Sequence, residues 1–173
     1  MTKQEISELG EQIAQKYNPQ GLSPFPFEKI QEANNDLKIY IATLDDQISG
    51  AIGFNENVFN IFINNNKPKT RQHFTTAHEV GHYFLHKDII KKQQVLVDSD
   101  QYLDGNSFLY RLDSAEPTQI ETEANNFAAS LIMPEGLVRK AWESIKNIEE
   151  CAKIFNVSTS AMSVRLERLT LIT

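Results

Sequence analysis

The segment FTTAHEVGHYFLH, residues 74–86, holds three of the chain's four histidines and places Glu79 directly after the first of them. On an α-helix, residues four apart lie one above the other on the same face. His78 and His82 can therefore aim both imidazoles at one point. Neutral imidazole is a good zinc ligand, with a bond near ~2.1 Å. Glu79 sits about 100° further around the helix axis. From there it does not share an ion with both histidines, but it reaches a water bound to that ion. The spacing is that of the H-E-x-x-H pattern, in which two histidines hold zinc and the glutamate serves as general base. The segment also carries an apolar stripe of Phe74, Ala77, Phe84 and Leu85, so the helix is expected to be buried. Gly81 in mid-helix costs about 1 kcal/mol relative to alanine, which predicts close approach by a neighbouring helix or a substrate. His86 continues the i+4 series, but an α-helix drifts about 40° per such step. It is read as a structural residue or as a partner of a ligand, rather than as a ligand.

A catalytic zinc takes three protein ligands and leaves one position to water. The third is sought in a helix over 120–133, where Glu121, Ala124, Asn125 and Ala128 form one stripe. The two alanines keep that stripe small, so it can pack closely on the histidine helix with Glu121 facing the metal one turn before Asn125. Glu123 lies about 160° away and reads as an exposed helix glutamate. It is the replacement ligand if Glu121 is not the right carboxylate. The partner for the oxyanion of the transition state is left open among Tyr83, Tyr102, Tyr110 and His73.

These residues need elements to position them. Thr2 and Glu5 form a capping box for a first helix that ends at Asn18-Pro19. A short helix follows from Pro26 to about Asn34. Three strand-like runs come next, Leu37 to Thr43, Ile48 to Phe54 and Val58 to Asn64, separated by turn residues at 45–46 and 55–57. Their short connections predict an antiparallel meander. Residues 88–117 are long, polar and weakly patterned, and are read as a loop that could cover the zinc. After the second ligand helix, Pro134 opens a helix to about Lys146. Two short helices close the chain, Ile148 to Phe155 and Ser160 to Leu171. The expected division is a metal-binding domain over 1–146 and a helix-turn-helix-like pair over 147–173.

Composition narrows the function classes. A chain of 173 residues with 40% hydrophobic content suits one ordinary domain. No run is long and apolar enough to span a membrane, and no secretory signal is evident. The single cysteine, Cys151, suits a reducing compartment, so a cytoplasmic location is expected. A net charge of −6 argues against general nucleic-acid binding. In the closing helix pair Asn156 can take a left-handed turn, and Arg165 and Arg168 could touch phosphate. Met162, Leu166 and Leu169 argue instead that the pair docks on the core, and direct DNA binding is not expected.

TTAHEVGHYFLH together with ETEANNFAASLIMP resembles the ImmA/IrrE-type metallopeptidases, a bacterial and phage group with a zincin-like core. ISGAIGFNENVFNIFIN, Arg71 and the tail AKIFNVSTSAMSVRLERLTLI carry the same likeness, so it covers most of the chain. His73 departs from the pattern, which often has an arginine there. The resemblance implies an α+β fold: a small, three-stranded, mainly antiparallel sheet packed on the H-E-x-x-H helix and a second ligand helix, with a C-terminal helical pair. It implies one Zn2+ held by His78, His82 and Glu121, with Glu79 as the catalytic base. It also implies that Asn125 orients His78 or His82, and that the strand over 58–64 borders the cleft and pairs with extended substrate. The implied activity is selective proteolysis of a DNA-binding, helix-turn-helix repressor that controls a mobile element or a stress response. The other class to be tested is a non-catalytic, zinc-binding regulatory or antitoxin-like partner.

Overall fold

A computed structural model describes residues 1–93, 95–99 and 119–173. Its helices and strands run α1 (Lys3–Tyr17), α2 (Glu28–Ala33), β1 (Leu37–Ala42), β2 (Ile48–Asn55), β3 (Val58–Asn64), α3 (Lys69–Leu85), α4 (Lys87–Gln93), β4 (Val95–Ser99), α5 (Gln119–Ile132), α6 (Glu135–Ile145), α7 (Ile148–Phe155) and α8 (Thr159–Arg168). The capping box at Thr2 and Glu5 is present. α3 begins after Pro68, without a side-chain cap.

The α+β class expected from the sequence holds, with a mixed sheet lying on α3. Three strands stand where they were read, and β4 joins them as a fourth. It comes from the segment that reads as a loop, as does α4; the rest of that segment lies outside the described residues. The sheet order is β1-β3-β2-β4. β2 and β3 form a hairpin with Asn55 opposite Val58, and Glu56 and Asn57 at its tip both have positive φ. That is the mirror-image turn whose twist suits a two-residue hairpin.

The meander expectation fails at β1, which runs parallel to β3 and not beside β2. The physical reason lies in Asn64, the last residue of β3, which is fully buried. Its side-chain amide donates to the carbonyls of Asp45 (2.9 Å) and Ile48 (2.7 Å), and its carbonyl accepts from Leu44 N–H (3.3 Å). The β1–β2 connection is thereby pinned across the end of β3, and β2 is carried over to the far side. β3 is consequently an inner strand bonded on both edges. It has no free edge for a substrate strand, which corrects the expectation that residues 58–64 pair with substrate.

α3 covers one face of the sheet, α5 packs on α3, and α1 packs on α5. Gly81 shows why the two ligand helices come so close. A Cβ there would lie 3.2 Å from Ala124 O, 3.2 Å from Phe127 Cδ1 and 3.3 Å from Ala124 Cα. Two of these atoms belong to backbone that is itself packed, so they yield little. Gly81→Val is expected to destabilise the fold by about 1–3 kcal/mol through overpacking, read as a lower denaturation midpoint with an unchanged slope.

The closing helices share the core with the rest of the chain. Cys151, Phe155, Met162 and Leu166 are all 1% exposed or less. Asn156 takes the left-handed position at the end of α7, and Ser158 caps α8. Arg165 is spent internally, donating to Met133 O at 2.9 Å and to Glu11 at 2.9 Å. Arg168 donates to Asn126 at 3.1 Å.

Candidate metal centre

The i+4 spacing on α3 stacks His78 above His82, and the close α3–α5 packing brings Glu121 to meet them. His78 Nε2 and His82 Nε2 are 3.0 Å apart. Glu121 Oε2 lies 3.1 Å from the first and Glu121 Oε1 3.5 Å from the second. A tetrahedral ion with bonds of about 2.1 Å separates its ligand atoms by roughly 3.4 Å, so these spacings fit a common ion. All three residues are buried, and among the described residues they are the group that could hold a metal.

Proton positions sharpen that fit. His78 Nδ1 is 2.9 Å from Asn125 Oδ1. A carbonyl oxygen only accepts, so His78 donates from Nδ1, which leaves Nε2 as the nitrogen that faces the group. Burial pushes His82 down to about 4, against the pull of Glu121, so at neutral pH it carries a lone pair. Burial pushes the Glu121 carboxyl up, but the contacts with the His78 and His82 imidazoles outweigh it and hold it well below the usual range. Two imidazoles, that of His82 neutral, and one carboxylate thus face each other out of water. A divalent cation converts that crowding into attraction.

Glu79, 1% exposed, lies beside this group on α3. A strand backbone walls it in. A Cβ at Gly50 on β2 would come 3.2 Å from Glu79 Oε1 and 2.5 Å from Thr75 Cγ2. Arg71 Nε donates to Ser49 Oγ at 3.1 Å and ties β2 to the start of α3. Gly50 lies in the stretch ISGAIGFNENVFNIFIN, but spacing and residue type did not single it out there. Gly50→Ala is expected to push β2 off α3 and to shift Glu79, costing about 1–3 kcal/mol and lowering activity more than metal affinity. Equal metal binding and equal turnover in the variant would count against that wall.

The remaining site candidates separate. Asn125 stands against His78. Glu123 is not in the group; its Oε2 meets His86 Nε2 at 3.0 Å, and that contact, with a smaller one from Gln119, holds its carboxyl below the usual range. The Tyr83 hydroxyl points away to the α2–β1 corner, donating to Asp36 Oδ1 at 2.6 Å. Burial first, then Asp36, pushes its pKa up, so it is committed as a structural donor and not available to an oxyanion. His73 is turned about 140° from His78 and meets the Phe27 ring edge-on at 5.1 Å. Tyr102 and Tyr110 lie outside the described residues. The His86 link to His82, through Nδ1 atoms 2.9 Å apart, was visible in the sequence only as a continued i+4 series.

His73 gives a pH signature. Burial pushes it down to about 4, and Nε2 has no partner among the described residues. Its folded value lies below the unfolded one near 6.5, so the unfolded chain binds the extra proton between them. The stability due to neutral His73 is complete above about 6.5 and is lost as pH falls toward 4. In the metal-free protein His73→Leu is expected to flatten the fall in unfolding free energy over that window, by up to one proton in slope. An unchanged slope from chemical denaturation would show that His73 is not the group being charged.

The comparisons with known proteins agree with this geometry. A family model described as Peptidase M78, IrrE N-terminal-like domain, matches residues 33–167. The match begins before β1 and runs into α8, so it spans the sheet, both ligand helices and most of the closing pair. The chain is also similar to the metallopeptidase ImmA of Bacillus subtilis (strain 168), at 27% identity over 140 residues, covering 76% of this chain and 71% of the relative.

Proposed function

Because the chain belongs to the IrrE N-terminal-like family of peptidases, we propose that it is a zinc-dependent endopeptidase acting in the cytoplasm on a DNA-binding repressor. The observation that carries the catalytic half of this reading is the convergence of His78 Nε2, His82 Nε2 and the Glu121 carboxylate, all buried, with Glu79 alongside. His78, His82 and Glu121 would hold the ion. When bound, zinc supplies Lewis acidity, polarising a carbonyl and lowering the pKa of water toward ~7.

The other steps belong to the chain's own groups. Glu79 takes a proton from the attacking water at its carboxylate and delivers it to the nitrogen of the departing amine. Its enclosure by β2 limits where that carboxylate can move, so the proton is accepted and returned from one place. Asn125 holds His78 in the tautomer that presents Nε2. Of the open edges in the described sheet, β4 is the one beside β2 and β1 the one beside β3. An extended substrate that pairs with the sheet would use an edge of this kind.

A non-catalytic zinc protein, such as an antitoxin-like partner, has no use for a buried glutamate at position 79. The repressor is proposed from the family likeness and from the selectivity it implies. The cytoplasmic assignment draws on the lone cysteine, and among the described residues no helix is long and apolar enough to cross a membrane.

The test is to incubate the zinc-loaded protein with a helix-turn-helix repressor encoded beside its gene. Fragments are mapped by mass spectrometry. Cleavage at a small number of bonds is expected, abolished by a chelator and restored by zinc. A general substrate such as casein is expected to remain intact. A repressor that stays whole beside fully loaded protein would remove that substrate class.

A further inference from the structure

The two histidines of the centre are held in different ways. His78 meets an amide oxygen, which fixes its proton in one step. His82 meets another imidazole, His86, through Nδ1 atoms 2.9 Å apart. An N···N contact of that length needs one donor and one acceptor, and either histidine could be the donor. What decides is the far side of His86, where Nε2 lies 3.0 Å from Glu123 Oε2. Glu123 Oε1 in turn accepts from the Gln119 amide at 2.8 Å. A carboxylate only accepts, so His86 donates from Nε2, and as a neutral imidazole it offers a lone pair at Nδ1. His82 donates to that lone pair from Nδ1, and its Nε2 is left bare on the side of Glu121 and His78. The opposite arrangement would put a proton on His82 Nε2 and close it to any metal.

We propose that His86 and Glu123 form a positioning pair that locks His82 in its metal-binding tautomer. The inference rests on the metal-site reading above. It gives Glu123 a use other than ligation and explains why the chain's fourth histidine, only 5% exposed, sits just past the end of α3. His86 also shapes the turn into α4, where its carbonyl accepts from the N–H groups of Ile89 and Ile90, both at 3.0 Å. Those are backbone bonds and are indifferent to the side chain. A purely structural imidazole would therefore leave the tautomer of His82 and the metal affinity unmoved.

Two measurements test the pair. In zinc-loaded, nitrogen-15-labelled wild type, the His86 signals are expected to show a protonated Nε2 and a bare Nδ1. A through-hydrogen-bond coupling should join the Nδ1 atoms of His82 and His86. In chelator competition, His86→Leu is expected to weaken zinc binding about 10–100-fold. Glu123→Ala should weaken it less, in the same direction. His86→Asn, whose Oδ1 can stand where Nδ1 stood, should restore most of the loss.

A His86 proton found on Nδ1 would overturn the proposal even if every variant failed to fold. Wild-type affinity in His86→Leu would overturn it too, as would equal loss in His86→Asn and His86→Leu. Failure of the wild type itself to bind zinc would instead bring down the metal-site reading, and this inference with it.

Discussion

Glu79→Gln is expected to keep its metal and to lose peptide hydrolysis by on the order of 10²–10⁴-fold. The substitution keeps the shape of the side chain, so the wall formed by Gly50 and Thr75 is undisturbed. An amide oxygen does not take a proton from water at neutral pH, and the amide N–H groups are too weakly acidic to deliver one to the departing amine. Glu79 is 1% exposed, and glutamine fills the same buried space. The variant should therefore fold and melt close to the wild type, which separates loss of chemistry from loss of fold. Metal content by elemental analysis, melting temperature and cleavage of the repressor, all on one preparation, make the check. Cleavage at the wild-type rate would strip Glu79 of the base role and revive the non-catalytic reading.

The second large effect concerns the ion. His78→Ala leaves one imidazole and one carboxylate, too few donors to hold zinc against a chelator. At a free zinc level about 100 times the dissociation constant, binding should stabilise the wild type by about 2.7 kcal/mol. For a chain of this size that is roughly 5–10 °C in melting temperature. Glu79→Gln should show the same zinc-dependent rise, and His78→Ala and Glu121→Ala should show none. Glu123→Ala should still show most of it, because Glu123 faces His86 and not the ion position. A full zinc response in Glu121→Ala would return the third-ligand question to Glu123.

Much of the site could be read locally. The i+4 spacing put His78 and His82 on one face, and the same geometry aligned Glu121 with Asn125. Small residues at Gly81 and Ala124 foretold a close helix contact. The turn at 56–57 and the left-handed Asn156 were legible because residue type alone biases φ. Tyr83 was not legible as a structural donor, because Asp36 lies 47 residues away. The parallel placement of β1 was missed because it depends on Asn64 bridging a connection 16 to 20 residues back.

What the chain alone determined, then, is which side chains share a face of each helix, since that follows from a fixed rotation per residue. It determined the donor types, two imidazoles and a carboxylate, and hence the class of ion. Tertiary structure decided which faces meet. It chose Glu121 over Glu123, turned Glu123 to His86, and set the backbone of Gly50 against Glu79. Periodicity says which way a side chain points within its own helix; what it points at depends on packing between segments far apart in the chain.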